Sequence, residues 1–439
     1  MEQNKKDIYY PKNLLSAGAI LNIIREMLSD INPIHIDLSE RTCYMTFSII
    51  KKFSLEKQFD HDTVLLLTLF FSIGAYKYDE LEKIDDYIQK NTTNTTTYAY
   101  LFLRYMTPLK NKAETIFLQK NDYETAKRLT GELAEYASLI FTCAKLCIKL
   151  KKNAYMYDAD EITKTWTAVY NRKYLDMFFE ADKNGEITGN LKNRTFFEEV
   201  TKECNSNSFD YDDTFMLLKM MIYAIDFRST STVTHIISTS GFAGEIGQRM
   251  GMTETEIDEL FAGAILHDIG KMAVDPEILE FAGKLSDEQM AIMKSHVDEG
   301  ERIYRGLVSE KIADIAARHH EKLDGSGYPN HLKAEDLTPQ QRLMAVADIS
   351  SALTDARTYK TSFPKEKTIA ILQDMAAKNQ LDSQIVKTLV DDYDEAYANV
   401  KLRNGMLTGP IGNIMMGSVI LDGYTDLAAL LDNAKMLPD

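Results

Sequence analysis

ETEIDELFAGAILHDIGKMAVDPEIL, residues 254–279, sets Ile257, Leu260, Phe261, Ala264 and Ile265 three and four positions apart, the spacing that lines one face of an α-helix. Most of the chain reads this way and strand-like alternation is scarce, so the predicted class is all-α. Followed to its end, the same face reaches Asp268, four positions beyond Ala264 and seven beyond Phe261, where an aliphatic side chain is expected. Asp348 repeats the anomaly in RLMAVADISSALT, residues 342–354, with Met344 and Ala345 behind it and Ala352 ahead. Turning an ionised carboxylate into a core is costly unless a cation or hydrogen-bond donors compensate it.

A compensating partner is present in the same segment. Five of the eight histidines, His235, His267, His296, His319 and His320, lie between residues 235 and 320. One histidine on a helix is ordinarily a structural residue, but five beside two inward carboxylates point to metal. The rival, a polar network without metal, needs a donor for every carboxylate oxygen. Imidazole mixed with carboxylate suits iron, manganese or zinc, and the set does not resemble a thiolate site. Seven donors exceed what one ion uses. Divided between two ions, with Asp268 as the bridge, they form the clamp that holds attacking and leaving oxygens in phosphoryl displacement. The expected chemistry is hydrolysis of a phosphate ester.

The neighbouring residues extend that reading. Lys271, three beyond Asp268 and just after Gly270, is placed to stabilise charge on a phosphate or to protonate the departing oxygen. EKLDGSGYP, residues 321–329, follows the paired histidines directly and reads as a turn-rich wall of the site. Arg357 and Lys360 stand nine and twelve residues beyond Asp348, near helical multiples, and are candidate cations for phosphate oxygens, with solvated surface charge as the alternative.

The whole chain sets the outer limits. Its 439 residues exceed one hydrophobic core, and 45% hydrophobic with 26% charged residues describes a globular protein. A net charge of −16 argues against DNA or RNA polymers as partners, which are bound through clustered positive charge. The longest apolar stretch, Val64 to Tyr76, is too short for a bilayer, and no secretory signal follows MEQNKKDIYYPKN, so no membrane association and a cytoplasmic location are expected. Four cysteines do not make a disulfide framework, and Cys143 with Cys147 are read as core packing on one helix face.

A Gly-, Asn- and Ser-rich stretch is the candidate linker at 181–212, between a helical module at 1–180 and a catalytic module at 213–402, with a C-terminal tail at 403–439. The two modules share an order of features. Leu65–Leu81 lies over Glu259–Leu279, matching Gly74 to Gly270, and Asn111–Tyr123 lies over Glu310–Asp324. The first copy lacks the chemistry: Phe71 and Ser72 face His267 and Asp268, Ala75 faces Lys271, and Gln119 with Lys120 faces His319 with His320.

These motifs resemble the HD-GYP family of bacterial phosphodiesterases, which hydrolyse cyclic dinucleotide second messengers, chiefly cyclic di-GMP. The resemblance runs from about Ala224 to Lys360: AIDFR then His235, HDIGK from His267, His296, HHEKLDGSGYP from His319 to Pro329, and ADISSALTDARTYK from Ala347. It implies two divalent ions, most plausibly iron or manganese, held by His235, His267, Asp268, His296, His319, His320 and Asp348. It further implies Lys271 and Asp268 as catalytic groups, and Arg357, Lys360, Gly327, Tyr328 and Pro329 on the substrate. The implied product of cyclic di-GMP is linear pGpG, GMP or both.

The sequence departs from the family in three places. Ile236, Ile237, Ser238 and Thr239 replace Ser-x-Arg-Val after the first histidine, Ser231 stands where some members have a third-metal glutamate, and Ser351 opens what is usually Asp-Ala-Leu-Thr. Nucleobase preference therefore stays open between cyclic di-GMP and 3',3'-cyclic GMP-AMP. A non-catalytic cyclic dinucleotide receptor and a metal-dependent nucleotidase are the other readings. The first module resembles a degenerate copy of the same fold, with Leu38 in LSERTCYMTF at the place of the histidine, and is expected to form a homodimer, sense a ligand or dock a partner.

Overall fold

The computed structural model describes residues 11–77, 93–166, 171–225, 230–355 and 362–438, with 13, 14, 422, 423 and 425 excepted. Among these residues every regular element is a helix, and the only strand-like pairings are isolated bridges between Arg305 and Val308 and between Asp324 and Lys333. The chain is all-α. It divides into two units, one of residues 31–217 with 410–439, the other of residues up to 30 with 218–409.

In the first unit the principal helices are Pro33–Lys52 (α1), His61–Phe70 (α2), Thr93–Met106 (α3), Leu133–Lys152 (α4), Glu186–Asn193 (α5) and Phe196–Asn205 (α6). α1 packs on α2 and α4, and a short turn at Gly74–Lys77 packs on α3. The apolar stretch from Val64 to Tyr76 is buried here, and no described helix is long and apolar enough to cross a membrane. All four cysteines are buried thiols, Cys143 and Cys147 in the face that α4 turns inward.

In the second unit the helices that build the site are Thr230–Arg249 (α7), Glu254–Leu266 (α8), His296–Tyr304 (α9), Glu310–Ala317 (α10) and Pro339–Thr354 (α11). Their ends are written locally. Thr253 and Glu256 exchange side chain–backbone hydrogen bonds in a capping box that starts α8, and Thr338 with Gln341 does the same for α11, where Pro339 fits the first turn. α7 packs on α8 and α11, and α8 on α10, around a core that includes Phe242, Leu260, Ala264, Ile315, Leu343 and Val346.

The order of packing is the same in both units, and one close approach shows the register. A Cβ built on Gly74 would lie 2.0 Å from the carbonyl oxygen of Thr95 on α3; on Gly270 it would lie 1.9 Å from that of His296 on α9. Only glycine admits the next helix so closely. Where the second unit buries His267 and Asp268, the first buries Phe71 and Ser72, with Ser72 Oγ 3.2 Å from Ser39 Oγ.

The expected boundaries need correction. The 181–212 segment is not a linker: α5 and α6 bury Ile187, Leu191, Phe196, Val200 and Cys204, and α6 packs on α1. Its Gly and Asn residues serve short turns, as at Gly185 with φ 69° and at Asp182, whose carboxylate accepts from Thr188 N at 3.0 Å and Thr188 Oγ1 at 2.9 Å. Nor do residues up to 30 belong to the first module. Lys12 N donates to Asp258 Oδ1 at 3.0 Å, and Asp30 pairs with Arg302, both within the second unit. The tail expected at 403–439 is also packed structure. A helix spans Tyr393–Leu421, Gly417 lies against Leu101, and the Leu427–Ala434 helix buries Leu430, Leu431 and Ala434.

Candidate metal centre

α8 stops at Leu266, but His267 N still donates to Gly263 O at 2.9 Å, and the chain then tightens into a 3-10 turn at Ile269–Ala273. That change of pitch presents His267 and Asp268 side by side at the helix end. The close approach at Gly270 brings the first residue of α9, His296, across from them. His235 arrives on α7, Asp348 on α11, and His319 with His320 on the turn after α10. The structure thus gathers the seven predicted donors in one place. All are buried except His320, whose side chain is 27% exposed.

Three of the rings have their proton assigned by their backs. Nδ1 of His267, His296 and His319 lies 2.6 Å from the carbonyl oxygens of Ala264, Met293 and Ala316. Nδ1 must be the protonated nitrogen in each, which leaves Nε2 as a lone pair aimed inward. These lone pairs converge: His267 Nε2 is 3.4 Å from His235 Nε2, and His296 Nε2 is 3.3 Å from His319 Nε2. Two acceptors at that distance repel unless a cation lies between or beside them.

The donors fall into two groups, His235, His267 and Asp268 in one and His296, His319 and His320 in the other. Asp268 faces both. Its Oδ2 is 3.3 Å from His267 Nε2 and 3.5 Å from His235 Nε2, and its Oδ1 is 3.4 Å from His296 Nε2 and 4.0 Å from His319 Nε2. Asp268 Oδ1 is buried and accepts no hydrogen bond, the orphaned oxygen that a bound cation would satisfy. Asp348 reaches both groups as well, Oδ1 at 3.0 Å from His235 Nε2 and Oδ2 at 3.5 Å from His320 Nδ1.

Charge states follow from burial and proximity. Burial pushes His296 down to about 4 and His320 down to about 3, and it holds His319 well below its ordinary range. Burial alone would lower His267, but the adjacent Asp268 raises it. Burial would raise Asp268 and Asp348. His267 and Lys271 hold Asp268 far below the usual carboxylate range, and His235 and His320 do the same for Asp348. Ionised carboxylates beside the neutral imidazoles of His296, His319 and His320 are protonation states that bind metal, and this donor set fits divalent cations.

Lys271 Nζ sits 2.5 Å from Asp268 Oδ2 at the partly open edge of the cluster. The Gly-Tyr-Pro loop borders it: the Tyr328 ring lies 4.6 Å from that of His320, and Lys294 Nζ lies 4.8 Å from the Tyr328 ring centre. Gly327 is required by contact, because a Cβ there would fall 2.4 Å from Lys322 N and 2.6 Å from His320 O. Pro329 follows directly. Arg357 and Lys360 lie outside the described residues.

Sequence reading missed two supports. Glu321, buried beneath the loop, accepts from Asn330 N at 2.7 Å and Leu332 N at 3.0 Å and so ties the loop to the paired histidines. Only its place between the histidines and the glycines hinted at this. Ser351 and Asp355 stand behind His235, and their signal was helical spacing from Asp348, three and seven positions along α11 and its cap.

Known proteins share sequence and fold with this chain. Residues 217–385 match the family model described as HD domain. Over 158 residues, 35% of this chain and 42% of the relative, the chain is 36% identical to the cyclic di-GMP phosphodiesterase response regulator RpfG of Xanthomonas campestris pv. campestris. It is 21% identical over 401 residues, 85% of this chain and 91% of the relative, to the 3'3'-cGAMP-specific phosphodiesterase 1 of Vibrio cholerae. The chain spans only 34% to 52% of the length of the first curated relatives it matches. A crystal structure of a cyclic GMP-AMP specific phosphodiesterase of Vibrio cholerae shares the fold, with TM-score 0.55 and 18% identity over 86% of this chain and 96% of that one. With a buried His-Asp pair at the end of α8 and a Gly-Tyr-Pro loop beside it, the segment 217–385 is an HD domain similar to those of cyclic dinucleotide phosphodiesterases.

Proposed function

We propose that this protein is a metal-dependent phosphodiesterase that hydrolyses cyclic di-GMP to linear pGpG, GMP or both, at a site holding two divalent ions, iron or manganese. The observation that carries the reading is Asp268, whose two oxygens face separate groups of imidazole nitrogens. Divalent ions, when bound, would supply positive charge that activates water and offsets the negative charge developing on the phosphate. The chain supplies the rest. His235, His267 and Asp268 would hold one ion and His296, His319 and His320 the other, with Asp268 and Asp348 within reach of both groups. Lys271, at the open edge, gives its proton to the departing ribose oxygen or donates to the phosphate. Arg357 and Lys360 bind phosphate oxygens, and Gly327, Tyr328 and Pro329 form the wall against which a nucleotide lies.

The Vibrio cholerae relative that spans most of the chain favours a second substrate, 3',3'-cyclic GMP-AMP. We assign the reaction to the bacterial cytoplasm and give the first unit a homodimerising or sensing role, since it carries no donor cluster among its described residues. The decisive experiment compares hydrolysis of both cyclic dinucleotides by manganese- and ferrous-loaded protein with a His267→Ala/Asp268→Ala control. Turnover that vanishes in the control supports the enzyme, and the ratio of the two rates names the substrate. Bound metal and bound nucleotide without turnover would leave a receptor.

A further inference from the structure

His235 is held differently from His267, His296 and His319. His267, His296 and His319 each give the Nδ1 proton to a carbonyl of their own preceding turn. His235 instead sets Nδ1 2.9 Å from Ser351 Oγ, a side chain on another helix 116 residues away. Ser351 Oγ lies 2.9 Å from Asp355 Oδ2, Asp355 Oδ1 accepts from Ser238 Oγ at 2.8 Å, and Ser238 Oγ accepts from Asn404 Nδ2 at 2.8 Å.

The direction of these bonds is set by what each group can do. A hydroxyl carries one proton, and a carboxylate only accepts. The serine proton therefore goes to Asp355, in preference to the neutral carbonyl of His235 at 3.1 Å, because a charged acceptor makes the stronger bond. The lone pair left on Ser351 Oγ takes the proton of His235 Nδ1. His235 is thereby fixed with a bare Nε2 facing Asp348 and Asp268. The carboxylate behind the serine adds negative charge at the back of the ring, where it strengthens the ring as a donor.

We infer that Asp355, acting through Ser351, is a positioning residue that fixes the tautomer and orientation of His235 as a metal ligand. The inference rests on the metal-site reading above.

The test measures metal directly. Manganese is titrated into metal-free wild type, Asp355→Asn, Ser351→Ala and the exchange variant Ser351→Asp/Asp355→Ser, with circular dichroism as a check on folding. Asp355→Asn and Ser351→Ala should each weaken one manganese by roughly ten- to hundredfold and leave the second intact, the usual effect of removing a ligand's outer partner. The exchange variant, with its carboxylate directly behind His235, should recover most of the loss, which a merely structural defect would not. Should Asp355→Asn fail to fold, Ser351→Ala removes a single hydroxyl and keeps the test. Unchanged manganese affinity in the folded variants overturns the inference. Wild type that binds manganese but hydrolyses nothing defeats the phosphodiesterase reading alone, whereas wild type that takes up no manganese defeats both.

Discussion

Asp268 concentrates the energetics of the site in one side chain. It is buried, one oxygen has no hydrogen-bond partner, and it stays ionised only because imidazoles and Lys271 surround it. Asp268→Asn keeps the shape but replaces one acceptor oxygen with an amide that cannot bind a cation. Metal analysis of the variant should find the ions lost, and hydrolysis should fall by roughly a thousandfold, the scale of removing one preorganised electrostatic group. Gly327→Ala tests the loop. The added Cβ meets only backbone, at 2.4 Å from Lys322 N, so the loop itself must shift. We expect KM to rise, with a stability cost of about 1–3 kcal/mol from overpacking, measured by denaturant melts beside steady-state kinetics. A rise in KM without any loss of stability would mean that the loop is not braced against Glu321 as described.

At the scale of elements, α6 is the informative one because the sequence disguised it. Phe196 is fully buried against α1, so Phe196→Ala should cost about 3–5 kcal/mol of the first unit's stability, whereas a linker residue would cost almost none. Chemical denaturation of the two proteins decides the matter. α6 also carries Glu203, which with Asp62 grips His61 at the start of α2, each at 3.0 Å. Hydrogen bonds to Asp62 and Glu203 raise His61 to about 9 from 6.5. Because the folded value exceeds the unfolded one, this contribution is fully present below pH 6.5 and is lost as pH rises through 9. The melting temperature of the first unit should fall across that window, and His61→Gln should flatten the fall. The partner carboxylate works in the opposite sense: Glu203, lowered from 4.5, contributes above that pH and loses its contribution in acid.

At the scale of the whole molecule, among the described residues one unit carries the candidate donor clusters and the other carries only the scaffold. Chelation should therefore act on half of the protein. Calorimetry of metal-free and manganese-loaded protein should show the transition of residues 218–409 shifted upward, by about 2.7 kcal/mol when free metal is a hundredfold above Kd, with the other transition unmoved. Equal shifts in both transitions, or none, would contradict a metal site confined to the second unit. The first unit retains the close approach at Gly74 while having Phe71 and Ser72 in place of a His-Asp pair, so its helices keep this arrangement without those donors.

The sequence by itself determined the helical class, the duplicated order of features and the candidate donor residues. Apolar spacing is a local signal, and an aspartate or histidine on an apolar face declares its chemistry without reference to its neighbours in space. Tertiary structure alone decided how the donors divide, with each oxygen of Asp268 facing its own set of rings. It also decided that the Gly- and Asn-rich 181–212 segment folds into packed helices, and that residues up to 30 and from 410 onward each join the unit farther along the chain from them. The support of His235 by Ser351 and Asp355 lay beyond reach for the same reason. These features depend on contacts between residues far apart in the chain, and periodicity records only which face a residue occupies, never what meets it there.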